Sequence, residues 1–481
     1  MNFNTYKQKY QHVEGNWCPK RENQGLKIPL SSRNMSSSLQ LNTSYKQILA
    51  LALPISASLF VPQINFITNL IFLGGLGEQV LAIAGITGVY YLIFSVIGYG
   101  LNSGLQALIS RRAGENNPKA IGFLFQQGIL IALTISAIAI FFTILIAPLI
   151  FKAVISDPER LEMTVNFLSV RIWGLPFLLL YQLRNALLVG INQSKFLVIG
   201  TAVETFLNIF FDYGLIYGKY GLPELGYMGA AYASIIAEFG GLAVVIGLLR
   251  LPSVKKQVSI SLTFIPDWKL IWQILQVSFP LILQFLISVV AWEYFYLSIE
   301  QYGSRELAIS SLMRTVFGFF GCFTWAFASA TTAMVSNVMG QGKMEEVIPV
   351  TKKIVRLSML FSLVMFSLLN IFPKSFFALF GQGDLFVADA MPVIRVVSSA
   401  LIIMSFSCIW VNAVVGTGNT RITLIGELIA IVLYCLYVYV ALNKMHVSIT
   451  IGWMSEWVYW LSLLAISWYY MTFGKWRLKT I

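Results

Sequence analysis

Apolar positions along this chain gather into twelve long runs separated by short polar breaks, at about 48–73, 81–110, 121–150, 163–189, 196–217, 227–250, 269–299, 307–336, 348–372, 389–415, 422–443 and 449–473. Each run reaches roughly the 20 residues that carry a helix across about 30 Å of hydrocarbon. Spanning strands would need alternating polarity, and these runs are continuous, so closed barrels are excluded. The pattern predicts an all-α polytopic membrane protein with twelve transmembrane helices.

The runs repeat. Pro54 matches Pro280, and one constant offset then carries Gly77 onto Gly303, Ser110 onto Ser336, Gly114 onto Gly340, Gly190 onto Gly416 and Gly200 onto Gly426. Under the same offset "LAI" at 81–83 meets "LAI" at 307–309, and "LGYM" at 225–228 meets "IGWM" at 451–454. Chance does not hold one register over so many positions without a gap. The chain therefore reads as two six-helix bundles related by a pseudo-twofold axis along the membrane normal. The expected divisions are 1–46 as a disordered N-terminal extension, 47–250 as the first bundle, 251–268 as a linker, 269–474 as the second bundle, and 475–481 as a tail. Such a duplication places a cavity between the halves and suits alternating access, although channels and lipid-handling proteins are also built this way.

Composition agrees with the membrane reading. Of the 481 residues, 57% are hydrophobic and 11% charged, against about 25% charged in soluble proteins. The net charge of +12 does not mark nucleic acid, because the basic residues are dispersed and form no polar groove. They lie mostly in the two tails and in the loops that follow the even-numbered runs, which by the positive-inside rule puts both termini in the cytoplasm. Four cysteines far apart and two histidines, His12 and His446, give no zinc or disulfide framework. "GQGKM" at 340–344 lacks the full phosphate-loop pattern. With no nucleotide-hydrolysing domain, any transport has to be secondary, and no enzymatic motif is evident.

The stretches "LALPISASLFVPQINFITNLIFLGGLG", "SRRAGENN", "VGINQSK" and "LNIFFDYGLIYG…LGYMGAAYASIIAE", in this order and spacing, resemble the multidrug and toxin extrusion (MATE) family. The resemblance covers about residues 45–475. It implies a V-shaped pair of bundles that exports organic, often cationic, compounds in exchange for protons or sodium. "MSSSLQLNTSYKQ" from Met35 looks like an ordinary start for the family, which leaves 1–34 as an extension or as sequence that is not translated.

Acids within the spans are the candidate coupling groups. A central carboxylate costs at least about 2.5 kcal/mol on insertion scales and is functional by default. Glu293, in "LISVVAWEYFYLSIE", resembles the Glu of the eukaryotic-type Trp-Trp-x-x-Glu pattern in the seventh helix. Ser288 stands where those members carry a further Glu. The sodium-coupled bacterial branch uses that earlier Glu and an Asp in the tenth helix, where Met404 stands here. The competing reading of Glu293 is a structural hydrogen bond to a neighbouring helix. Glu204, Asn208 and Asp212 are spaced i, i+4, i+8 and form one stripe. Asn208 and Asp212 match the family's Asn-x-x-x-Asp, linked to a site in the first bundle, while Asn69 replaces that site's first-helix Asp. Glu204 is a candidate replacement carboxylate, and Asp212 has a bland alternative as a helix-end group.

Ser58, Pro62, Asn65 and Asn69 share one face of the first span, as a packing seam or a cavity lining. Trp292 and Tyr296 are candidate aromatic platforms for flat cations, against the plainer reading of packing and interface belts. Glu238 and Glu427 look structural, and Arg184 and Arg314 are possible charge partners for the acids. The expectation is a multidrug or organic-cation antiporter of the bacterial inner membrane. It would act as a monomer with small organic substrates, no cofactor and no nucleic-acid partner, with protons or possibly sodium as coupling ion. The alternative is a flippase-type exporter of a lipid or lipid-linked saccharide, which calls for a cavity rich in Arg or Lys.

Overall fold

The computed structural model of the chain describes residues 10–13, 16–19, 39–259, 265–378, 380 and 383–478. It divides into units 1–37 and 38–481. In the first unit β1 (Tyr10–Val13) pairs antiparallel with β2 (Asn16–Pro19), Tyr10 opposite Pro19. The rest of the expected extension up to residue 38, and 260–264 of the expected linker, lie outside the described residues.

The second unit holds twelve helices long and apolar enough to span a membrane. They are α1 (Tyr45–Gly74), α2 (Glu78–Gly114), α3 (Pro118–Leu145), α4 (Pro158–Gly190), α5 (Lys195–Tyr217), α6 (Tyr227–Leu249), α7 (Trp268–Glu300), α8 (Ser304–Gly340), α9 (Met344–Ile371), α10 (Asp384–Thr417), α11 (Thr420–Lys444) and α12 (Ile449–Phe473). Each falls on one expected run. The third run, however, is not one helix. α3 stops at Leu145 and a separate helix covers Ala147–Val154, because Pro148 has no N–H to offer the preceding turn. Sequence-local caps set several starts. Asn117 accepts from Ala120 N–H ahead of Pro118, and Asp267 accepts from Lys269 and Leu270 N–H.

The duplication is written into the backbone. Gly77 and Gly303 precede α2 and α8 with φ of 113° and 118°, a region essentially closed to residues with a Cβ. Among the described residues, the four non-glycine positions with positive φ (Asn116, Asn192, Tyr220 and His446) belong to repeat-related pairs of the same hand: Asn116 with Gly342, Asn192 with Gly418, and Tyr220 with His446. Packing repeats too. α1 lies on α5 as α7 lies on α11, α2 on α4 as α8 on α10, and α5 on α6 as α11 on α12. Across the axis, α1 meets α8 and α7 meets α2, with α2 against α8 in the middle.

The two lobes close at the end of the molecule where α1 starts and α12 finishes. There α2 and α8 cross so tightly that a Cβ on Gly114 would strike the Asn337 carbonyl oxygen, and one on Gly340 the Arg111 carbonyl oxygen. Ser336 Oγ donates to Ala107 O at 2.6 Å, Gln106 Nε2 to Ser329 O at 2.8 Å and Arg111 to Thr417 O at 3.3 Å. The strap before α1 completes the closure. Leu41 N–H donates to Asn337 Oδ1 and Asn337 Nδ2 to Leu39 O, both at 2.9 Å, with Leu39 and Leu41 buried. The buried residues of α2 are concentrated in Val96–Gly114. Toward the other end the lobes part: Cys322 and Phe319 of α8 still touch Leu59 and Phe60 of α1, but a Cβ at Gly318 would meet nothing within 4 Å.

Candidate functional site

In the N-terminal lobe the predicted stripe divides. Asp212 is fully buried, and neither of its carboxylate oxygens has a hydrogen-bond donor. Asn208, 2% exposed, gives its amide to Ser234 Oγ at 3.4 Å, while its Oδ1 has no donor. Asn65 Oδ1 and Asn69 Oδ1 on α1 are likewise buried without donors. α1 and α5 run parallel, pinned by Ser194 Oγ to Ala50 O at 3.3 Å near one end and by Tyr217 Oη to Phe72 O at 2.7 Å near the other. That register puts Asn65 and Asn69 at the depth of Asn208 and Asp212. Five oxygens of these residues thus go without a hydrogen bond, beside the amide N–H groups that the three asparagines also carry, and a buried carboxylate among them suits a proton or a small cation. Asp212 is buried within α5, which ends at Tyr217.

Glu204 belongs to a neighbouring pocket. It packs with the Tyr181 ring around Gly241, and the Arg184 guanidinium lies 3.5 Å from the Tyr181 centroid and donates to Thr201 Oγ1 at 2.8 Å. Glu238 takes two bonds from Arg171, one at 3.0 Å, and Arg171 also donates to Tyr91 at 2.8 Å. Glu238 is therefore a closed ion pair.

In the C-terminal lobe Glu293 is not a bare acid among apolar neighbours. Its side chain is 46% exposed and lies 3.6 Å from Arg314 Nη2, supplied by α8. The Arg314 guanidinium also sits 5.4 Å from the Trp292 centroid and 5.2 Å from that of Tyr296. Arg314 lies about two turns from Cys322 along α8, and both charged side chains of this group are nearly half exposed. Trp292 Nε1 donates to Glu456 at 2.9 Å and Tyr296 Oη to Ser310 O at 3.3 Å, so both rings are held in place. Met404 is buried among apolar residues.

Two acids were not read as site residues from the sequence. Glu427, fully buried, accepts from Gln284, Ser288 and Tyr459. Glu456, 3% exposed, accepts from Trp292 and Trp460. The rule applied to Glu293 also covers Glu456, an acid in the run 449–473. Glu427 was set aside because it lies near the start of its span. Its burial comes from the packing of α7 and α12 over it. Among the described residues no group of three or more His, Cys, Asp or Glu could hold a metal ion.

Twelve spanning helices in two repeat-related lobes, with polar sites enclosed in each lobe and a gap between them, define a membrane transporter. The family model MatE matches residues 54–214 and 280–440, two segments related by the same offset as Pro54 and Pro280. The chain belongs to the MATE family. It is 24% identical over 392 residues to the probable multidrug resistance protein NorM of Thermotoga maritima, covering 80% of this chain and 83% of that one. It is 23% identical over 301 residues to the multidrug resistance protein MdtK of Photorhabdus laumondii, covering 62% and 66%. Among solved structures, a MATE crystal structure in complex with MaL6 superposes with a TM-score of 0.83 at 18% identity, covering 93% and 98%. The outward-facing conformation of a multidrug resistance MATE family transporter gives 0.79 at 18% identity, covering 94% and 100%.

Proposed function

We propose that this protein is a secondary multidrug antiporter, exporting small organic cations in exchange for a coupling cation, with protons favoured over sodium. The carrying observation is Asp212, a fully buried carboxylate without a donor, at the depth of three asparagine oxygens on the α1–α5 seam. Such a group is stable in a bilayer only when neutralised, and a bound proton does this at no steric cost. A sodium ion, which one carboxylate could also neutralise, would in addition need several oxygens converging on it, whereas a proton needs Asp212 alone; that makes sodium the weaker reading. The conformation closed at the Gly114–Gly340 crossing then has its gap facing outward, with both termini cytoplasmic in the bacterial inner membrane and a single chain as the working unit. Proton binding at Asp212 in this state and release after the lobes rock about α2 and α8 would drive export.

Organic cations as substrates are supported by the Glu293–Trp292–Tyr296 group, which already surrounds a planar cation, the Arg314 guanidinium. The flippase alternative is disfavoured. Arg171 is bound to Glu238, Arg184 to Thr201 and Arg314 to Glu293, and the three do not converge on one cavity. The test is uptake of a fluorescent organic cation into everted vesicles under separately imposed proton and sodium gradients. The proposal expects proton-driven accumulation that Asp212→Asn abolishes. Accumulation unaffected by Asp212→Asn, or lipid scrambling with no drug movement, contradicts it.

A further inference from the structure

We infer that the C-terminal lobe contains a second proton-binding site, centred on Glu427, with Ser288 as its proton switch and Tyr459 linking it toward Glu456. The inference rests on the proton-antiport reading but concerns residues that reading does not use.

The argument begins with counting protons. Ser288 Oγ lies 2.6 Å from Glu427 Oε1 and 2.8 Å from the carbonyl oxygen of Gln284. A serine hydroxyl has one hydrogen, and a carbonyl can only accept. When Ser288 donates to Glu427, the carboxylate is charged and the Gln284 carbonyl loses that bond. When Ser288 donates to Gln284, the contact at 2.6 Å needs its hydrogen from Glu427, which must then be protonated. Both states keep every atom in place and differ by one proton on Glu427 and a rotation of one hydroxyl. A group whose two protonation states share one geometry can be loaded and unloaded without repacking the lobe.

The surroundings lack the groups that would fix one state. α7 offers Gln284 and Ser288, α12 offers Tyr459 and Glu456, and α10 offers Cys408. Among the described residues no Lys, Arg or His lies within ion-pair distance of Glu427 or Glu456. Each carboxylate is thus buried in a span with no counter-charge, unlike Glu238 with Arg171. A purely structural acceptor there would be met as well by a neutral amide.

The two acids sit at different depths. Glu427 is near the start of α11 and Glu456 near the start of α12, and consecutive spans run antiparallel. Tyr459 hydrogen-bonds Glu427 at 2.6 Å and lies in the field of both acids. Tyr434, 2% exposed, lies beside Ser455 and in the field of Glu456, its ring 6.0 Å from that of Tyr459. The acids and hydroxyls therefore line a polar track through the lobe. Repeat-related positions in the other lobe hold Thr201, Ala230 and Ala233 for Glu427, Glu456 and Tyr459, so the track belongs to one lobe.

The step is a simple transfer. A proton from water adds to the Glu427 carboxylate, the Ser288 hydroxyl turns from Glu427 to the Gln284 carbonyl, and loss of the proton reverses both. The experiment measures drug export by reconstituted full-length protein across a pH series, together with the infrared C=O band of protonated carboxyls. Expected results are that Glu427→Gln, which keeps size and acceptor, flattens the pH profile and removes one titrating carboxyl band. Ser288→Ala should shift the midpoint of that band while the melting temperature in detergent stays near that of the wild type. A wild-type pH profile and unchanged band in Glu427→Gln overturn the site and leave the Asp212 reading standing. Absence of any proton dependence in the wild type overturns both. If Glu427→Gln does not fold, an unshifted band midpoint in Ser288→Ala overturns the site by itself.

Discussion

Arg314 is a resident cation in the place where an organic cation is expected to bind. Its guanidinium is held by Glu293 and by the faces of Trp292 and Tyr296, with nearly half of its side chain exposed. A substrate entering that group has to displace it. Removing the competitor with Arg314→Ala should tighten binding of a planar organic cation by about two- to fivefold, the equivalent of one exposed cation–π contact of about 0.5–1 kcal/mol, in a fluorescence titration. Weaker binding would mean that Arg314 helps to form the site. The buried Arg171–Glu238 pair behaves differently. Glu238→Ala leaves Arg171 buried and uncompensated, and should cost about 3–5 kcal/mol, read as a large fall in melting temperature. At this scale the sequence was a partial guide. Rarity of acids in apolar runs pointed to Glu204, Asp212 and Glu293, but which acid is paired is a property of neighbouring helices. Glu293 lacked a nearby base in sequence and found Arg314 on α8. Glu427 carries the same mark but reads as structural in the sequence, and only the packing of α7 and α12 encloses it.

Helices and their joints were legible to the extent that their causes are local. Continuous apolar runs set the twelve spans, and Asn117–Pro118 and Asp267 mark starts that the structure keeps. The break after Leu145 was missed because apolar character continues through it and only Pro148 signals the stop. Gly303 shows the value of reading the repeat as backbone, since its φ of 118° with Gly77 at 113° makes the two positions equivalent joints. Gly303→Ala should cost about 1–3 kcal/mol, seen as a lowered melting temperature; an unchanged value would show that the joint relaxes freely. The strap before α1 is a second joint. Asn337→Ala removes both of its bonds to Leu39 and Leu41, leaving partners unpaired at about 1–3 kcal/mol. It should raise the labelling rate of a cysteine introduced at Ser110 next to the crossing, and an unchanged rate would show that closure depends on the glycines alone.

The molecule as a whole is symmetric in its backbone and asymmetric in its chemistry. The offset that joins Gly77 to Gly303 also joins Asn208 to Tyr434, Asp212 to Val438 and Ile67 to Glu293. Two copies of one bundle thus supply the two halves, while the unbonded Asp212 carboxylate lies in one lobe and the Glu293 and Glu427 groups in the other. The repeat made the architecture legible before any coordinate. The polar seam was less so, because Asn65 and Asn69 come to the depth of Asn208 and Asp212 only when α1 and α5 pack. The central claim is that Asp212 holds a proton which substrate binding and the conformational cycle exchange. Its most direct test is proton release from purified, weakly buffered protein on addition of a saturating organic cation, comparing wild type with Asp212→Asn. The account predicts release from the wild type and a clearly smaller release from Asp212→Asn at equal drug occupancy. Equal release from both proteins would contradict it.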